Sequence, residues 1–267
     1  MFISLVFSIL LSFTFSFSQP DYILEKELNY TADFISTDQF GHLYLVNGSE
    51  LKKIEIGTNK QSNYSNKLSG KLFSVDVTDP FRILLFYKDF NKIELLDKNL
   101  AQITSPINLN DLGYYNVSAV CQSVNGGFWI FDQSLNQLIF FDKSLNITNK
   151  SSQLSELIDQ NLENEQVFML EKNDYIYLGI RDEGILIFDN YGTYIKTFPI
   201  LEVNDFQVNN ENITYLKNGE YFFYNTSSFE EYNISLPEHY YKQVRLENKR
   251  LFIQTEEKIF IYQQNNF

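Results

Sequence analysis

The chain has 267 residues, enough for one large domain or two small ones, with 25 Phe and 18 Tyr against only 5 Pro. That composition favours strands over helices. The formal net charge of −13 argues against a phosphate-binding surface, which needs clustered Lys and Arg to release counterions, so no nucleic-acid partner is expected.

The first twenty residues, MFISLVFSILLSFTFSFSQP, are apolar and carry no charge before Asp21. Ser16 and Ser18 stand at −3 and −1 of a cut before Gln19, the pattern of an export signal. The expectation is a signal peptide over 1–18, a mature domain over 19–267, and residence in the periplasm or outside the cell. An uncleaved anchor is the alternative, and one feature departs from the export-signal pattern: no Lys or Arg precedes the apolar run. No Cys lies near the cut, so a lipoprotein is not indicated. Cys121 is the sole cysteine, which excludes an intrachain disulfide, and its setting VSAVCQS reads as a buried strand interior.

From His42 onward the chain repeats one grammar six times. A second strand runs HLYLV (from His42), RILLFY (Arg82), GFWIF (Gly127), YIYLGI (Tyr175), NITYLK (Asn212) and RLFIQT (Arg250). A third follows closely: LKKIEI (Leu51), KIELLD (Lys92), QLIFFD (Gln137), GILIFD (Gly184), EYFFYN (Glu220) and KIFIYQ (Lys258). Successive second strands are 40, 45, 48, 37 and 38 residues apart, the length of a four-stranded propeller blade. The runs are continuously apolar rather than alternating, as expected when both faces of a sheet are covered. An outer-membrane barrel, prompted by the terminal Phe267, would alternate and is disfavoured.

Turn residues agree with the hairpins. Asn218-Gly219 lies between two aromatic runs and calls for two positive-φ residues, and Asn47-Gly48 is expected to do the same in the first unit. The echoing stretches IELLDKNLAQI, LIFFDKSLNIT and ILIFDNYGTYI read as third strand, tight turn and fourth strand. Asp97, Asp142 and Asp189 then hold their turns by accepting backbone N–H bonds, rather than gathering around a metal. The sixth unit stops after its third strand, and YILEKELNY (Tyr22–Tyr30) is the candidate for its missing fourth. The expected architecture is an all-β, six-bladed propeller with four-stranded blades, closed by this N-terminal strand to remove exposed edges.

The stretch NDYIYLGIRDEGILIFDNYGTYIKTF resembles an NHL-type or sensor-type propeller repeat. DPFRILLFYKDFNKIELLDKNL resembles exported flavobacterial propeller proteins of uncharacterised function. The resemblance covers residues 31–264 and implies fold and export; it implies no catalytic residues. One insert, SQLSELIDQNLENEQ, sets Leu154, Leu157, Ile158 and Leu162 at helical spacing. It is expected to form a short helix packed over the ring.

Chemistry is sparsely signalled. There is no phosphate loop, His-x-x-x-His, Cys pair or Gly-x-Ser-x-Gly. His42 reads as a satisfied structural residue, and no cofactor or metal is expected. The loops between blades and those joining second to third strands share one face of a propeller. There they collect Asp89, Phe90, Tyr114, Tyr115, Arg181, Asp182, His239, Tyr240 and Tyr241. Aromatics with an Arg are the residue types that anchor protein interfaces. Nine Asn-x-Ser/Thr sequons, among them Asn29, Asn116 and Asn233, are expected to be inert in a bacterium. The functional expectation is an exported, non-catalytic binding or scaffold module. It would be monomeric, peripheral to a membrane at most, and would engage an envelope protein. The alternative is a calcium-dependent hydrolase or lactonase using the central channel, since oxygen ligands abound.

Overall fold

The computed structural model describes residues 21–158, 166–238 and 240–265. The expected signal segment, Leu162 and His239 lie outside them. Asp21–Leu28 forms β1. The first unit then contributes β2 (Phe34–Thr37), β3 (Leu43–Asn47), β4 (Glu50–Ile54) and β5 (Gln61–Ser65). The second holds β6 (Ser74–Asp76), β7 (Ile83–Tyr87), β8 (Lys92–Leu96) and the two-residue β9 (Ile107–Asn108). The third is β10 (Val117–Gln122), β11 (Phe128–Asp132), β12 (Gln137–Phe141) and β13 (Ile147–Lys150). The fourth is β14 (Val167–Lys172), β15 (Tyr175–Ile180), β16 (Gly184–Asp189) and β17 (Tyr194–Phe198). The fifth is β18 (Phe206–Asn209), β19 (Asn212–Lys217), β20 (Glu220–Asn225) and β21 (Glu231–Ile234). The last comprises β22 (Gln243–Glu247), β23 (Arg250–Gln254) and β24 (Ile259–Asn265).

These strands make six separate four-stranded sheets, antiparallel throughout, and the molecule is a six-bladed β-propeller. β1 is the fourth strand of the last sheet, in the order β1-β24-β23-β22, paired from Asp21↔Asn265 to Leu28↔Ile259 with a bulge between Leu24 and Lys26.

The continuously apolar runs follow from this stacking. Every residue of β7 and of β11 is buried, because each sheet is covered on both faces. Six apolar clusters fill the contacts between neighbouring blades. One joins Phe131 and Leu138 of the third blade to Met169 and Leu178 of the fourth. Another joins Leu43 and Leu45 of the first to Phe252 and Ile261 of the last.

The echoed turns share one geometry. Asp97 Oδ1 accepts from the N–H groups of Asn99 and Ala101, both at 2.8 Å. Asp142 Oδ1 does the same for Ser144 and Asn146, and Asp189 Oδ1 for Tyr191 and Thr193. The fourth residue of each turn takes positive φ: Leu100 at 66°, Leu145 at 64° and Gly192 at 86°. The bond from Asn146 is the largest of the causes that hold the Asp142 carboxyl below its usual range.

Asn218-Gly219 is a two-residue loop with both φ positive, 51° and 78°, between the paired Lys217 and Glu220. The expectation for Asn47-Gly48 is corrected by one residue. Asn47 is paired with Glu50, so the loop is Gly48-Ser49, and Asn47 keeps an extended strand conformation while Gly48 alone has positive φ. Of the segment expected to be helical, residues 159–165 lie outside the described residues; 152–158 hold a single turn, closed by Ile158 N–H to Leu154 O at 3.0 Å. Leu154 and Ile158 are buried between the third and fourth blades while Leu157 is exposed.

Candidate functional site: the ring faces and the central channel

Each first strand runs inward from the loop connecting successive blades, so the loops between blades and the second-to-third-strand loops emerge together. That face carries the expected anchors. Tyr115 is 76% and Tyr240 89% exposed. Phe90 is half exposed, and it lies over Gly70, where a Cβ would stand 2.6 Å from its ring. Asp89, Arg181 and Asp182 are exposed. Tyr114 is a correction: it is 6% exposed and packs edge-on against Phe141 with ring centroids 5.5 Å apart. Its carbonyl accepts from Asn91 Nδ2 at 2.5 Å, so Tyr114 seals the junction of the second and third blades. Tyr241 is half-buried against the apolar cluster between the fifth and last blades.

A channel of ≈ 270 Å³ runs between the first strands. Polar side chains on its wall bridge neighbouring blades. Gln243 Oε1 accepts from the Ile35 N–H at 2.6 Å, and Gln207 Oε1 from the Leu246 N–H at 2.8 Å. Arg245 Nη2 and Gln243 Nε2 both reach Asp205 Oδ2, at 2.9 and 2.5 Å. Asp76 Oδ2 accepts from the Gln122 N–H at 2.7 Å. The bonds to the Ile35, Leu246 and Gln122 N–H groups satisfy backbone donors, and those on Asp205 tie side chains together.

The buried carboxylates are likewise committed to protein donors. Asp38 accepts from the N–H groups of Phe40 and His42, from His42 Nδ1 at 2.9 Å and from Tyr44 OH at 2.8 Å. His42 is therefore a satisfied structural histidine. Glu171 accepts from Ser123 Oγ at 3.1 Å, the Val124 N–H at 3.0 Å and Trp129 Nε1 at 3.0 Å. Burial pushes its carboxyl up, and those three bonds oppose the shift. Glu94, fully buried in β8, accepts from Tyr64 OH, Tyr87 OH, Asn66 Nδ2 and Ser69 Oγ at 2.8, 3.1, 2.6 and 2.6 Å. Neither Glu94 nor Glu171 carries a sequence signal, because most of their donors lie 25 to 48 residues away in the chain.

No group of three or more His, Cys, Asp or Glu among the described residues stands close enough to hold a metal ion. Burial, then Asp76 and Glu171, push the Cys121 thiol well above its usual range, which leaves it a poor nucleophile.

Glu247 is a second acid of the channel that burial perturbs. Burial pushes its carboxyl from 4.5 up to about 7, against the pull of Lys172 and with added repulsion from Asp38. The folded chain thus holds this proton more tightly than the unfolded one. The stability it contributes is fully present below pH 4.5 and is lost as pH rises through about 7. Glu247→Gln is expected to stabilise the chain by about 1–3 kcal/mol at pH 8 and to leave it unchanged at pH 4, allowing for partial solvent screening. Urea unfolding at the two pH values measures this, and an equal effect at both would contradict it.

Comparison with known proteins supports the fold alone. No family model matches the chain, and no curated protein matches it. The Pan2 WD40 domain of Neurospora crassa superposes with a TM-score of 0.66 at 9% identity, covering 94% of this chain and 98% of that one. A protein of unknown function from Bacteroides thetaiotaomicron gives 0.63 at 11% identity, covering 92% and 72%. Virginiamycin B lyase from Staphylococcus aureus gives 0.58 at 12% identity, covering 86% and 79%. All are similar in blade architecture. No helix among the described residues is long and apolar enough to cross a membrane.

Proposed function

We propose that this chain is an exported, non-catalytic binding or scaffold propeller of the periplasm or cell envelope, acting as a monomer and engaging a protein partner. The observation that carries this reading is the exposure of Phe90, Tyr115, Arg181 and Tyr240 on loops that share one face. Large rings held in water cost free energy that a partner's surface recovers. The charged rim of Asp89, Arg181 and Asp182 around them fits the anatomy of a transient interface. The calcium-dependent hydrolase is the weaker reading, because Asp38, Asp76, Asp205 and Glu171 already accept from protein donors.

The test is capture of envelope proteins by the immobilised mature chain. Tyr115→Ala and Tyr240→Ala are each expected to weaken capture by about 1–4 kcal/mol, the range for aromatic anchors, with the melting temperature unchanged. Tyr114→Ala should instead cost about 3–5 kcal/mol of folding stability, as large aromatic deletions in cores do. Undiminished capture by both exposed-ring variants would remove this face from consideration.

A further inference from the structure

The opposite face of the ring carries the loops from first to second strands and the Asp-held turns. Between the β6–β7 and β10–β11 loops lies a second cavity of ≈ 360 Å³, lined among others by Gln39, Arg82, Gln122, Asn125 and Lys143. Arg82 is half-buried, and its Nη1 donates to Gly127 O at 3.4 Å, a long bond. Lys143 lies over Gly126, where a Cβ would stand 2.1 Å from its Cε. Beside the cavity, Phe40 and Phe81 are half exposed and meet edge-on, with centroids 6.0 Å apart. Lys98 Nζ stands 6.0 Å from the Phe81 ring centroid. The repeated Asp-Lys turns thus place Lys98 and Lys143 on this face, with Arg82 on a neighbouring loop.

Among the described residues none of these three cations forms an ion pair. One carboxylate, Asp79, lines the cavity and attracts Arg82, while two others are held in their turns. Asp79 Oδ1 accepts from the Phe81 N–H at 2.9 Å, and Asp97 and Asp142 hold their own turns. In a chain of net charge −13, two lysines without ion pairs beside Arg82, at a cavity with two exposed rings at its edge, have a specific chemical complement. It is a carboxylate adjoining an apolar group. The cations at the cavity and the exposed ring pair beside it call for a carboxylate and an apolar group side by side, which neighbouring residues of an extended peptide segment supply.

We propose that this face is a docking site for an acidic peptide segment of a partner protein, whose carboxylate sits between Arg82 and Lys143 while a neighbouring apolar side chain packs on Phe40 and Phe81. Charge-assisted bonds to a guanidinium supply orientation, and the rings supply the buried area.

A blocked, dye-labelled octapeptide alternating Glu and Phe is titrated into the full chain and followed by fluorescence anisotropy. Saturable binding is expected that weakens with salt, disappears when Gln replaces Glu in the peptide, and falls about tenfold or more in the Arg82→Gln/Lys143→Gln double variant. Lys143 is exposed, so Lys143→Glu alone keeps the test independent of any folding defect at Arg82. Tyr115→Ala and Tyr240→Ala should leave this binding intact, which separates it from the other face. Absence of saturable binding, equal binding of the Gln peptide, or undiminished binding by Lys143→Glu would each overturn the proposal. So would displacement of the peptide by submillimolar inorganic phosphate, which would mark a small-anion pocket instead.

Discussion

Deletion of Asp21–Asn29 is expected to lower the melting temperature by about 10 °C or more and to make the protein prone to self-association. The segment supplies the whole outer strand of the last sheet. Without it, the backbone groups of β24 that face outward lose their partners and become a template for another chain. The ion pairs of Glu25 with Arg250 and of Glu27 with Lys258 go as well, though such partly exposed pairs contribute little. Most of the loss is expected from the ladder and from Tyr22 and Leu28, which pack against the clusters on either side of the last blade. Burial of Tyr22 raises its phenol from 10.0 to about 12. Calorimetry and light scattering of the truncated chain measure both effects. A truncated protein that is monomeric and melts within a few degrees of the parent would show that β1 is dispensable.

Glu94→Ala is expected to cost about 3–5 kcal/mol, close to the penalty for breaking a buried charged network from one side. Four donors converge on this carboxylate. Three come from β5 and the segment after it, Tyr64, Asn66 and Ser69, and Tyr87 comes from the neighbouring strand β7. Alanine would leave a void and several buried polar groups without an acceptor, each at its full desolvation cost. Glu94→Gln keeps one acceptor oxygen and lets the hydroxyls reorient, so it should cost clearly less. Urea denaturation of the two variants tests the ordering. A loss below about 1 kcal/mol for the alanine variant would mean that the network is loosely held.

Sequence signals were reliable where a single short segment decides the conformation. Asn218-Gly219 was legible because those residue types tolerate positive φ. Yet Asn173-Asp174 and Asn248-Lys249 close hairpins with the same two positive φ values and none of the usual Gly. Asn47-Gly48 fell one residue out of place because strand pairing carries Asn47 into the ladder. Tyr114 could not be told from Tyr115 by composition. The turn that buries one ring and exposes the other follows a short 3-10 segment ending at Gly113, whose φ is 88°.

The amino-acid sequence by itself determined the repeat, its period and the Asp-held turns, because these depend on continuous apolar runs, their spacing and residues that bond to their own backbone neighbours. Only the tertiary structure decided which carboxylates are buried and satisfied, which aromatic rings remain in water, and that the Lys residues of two repeated turns stand on one face with Arg82 and an exposed Phe pair. The reason is physical. Turns and strands are set by interactions a few residues apart, whereas Asp205 with Arg245, Glu171 with Trp129, and Phe40 with Phe81 are separated by roughly a blade's length of chain. They meet only because closing the ring stacks one sheet against the next.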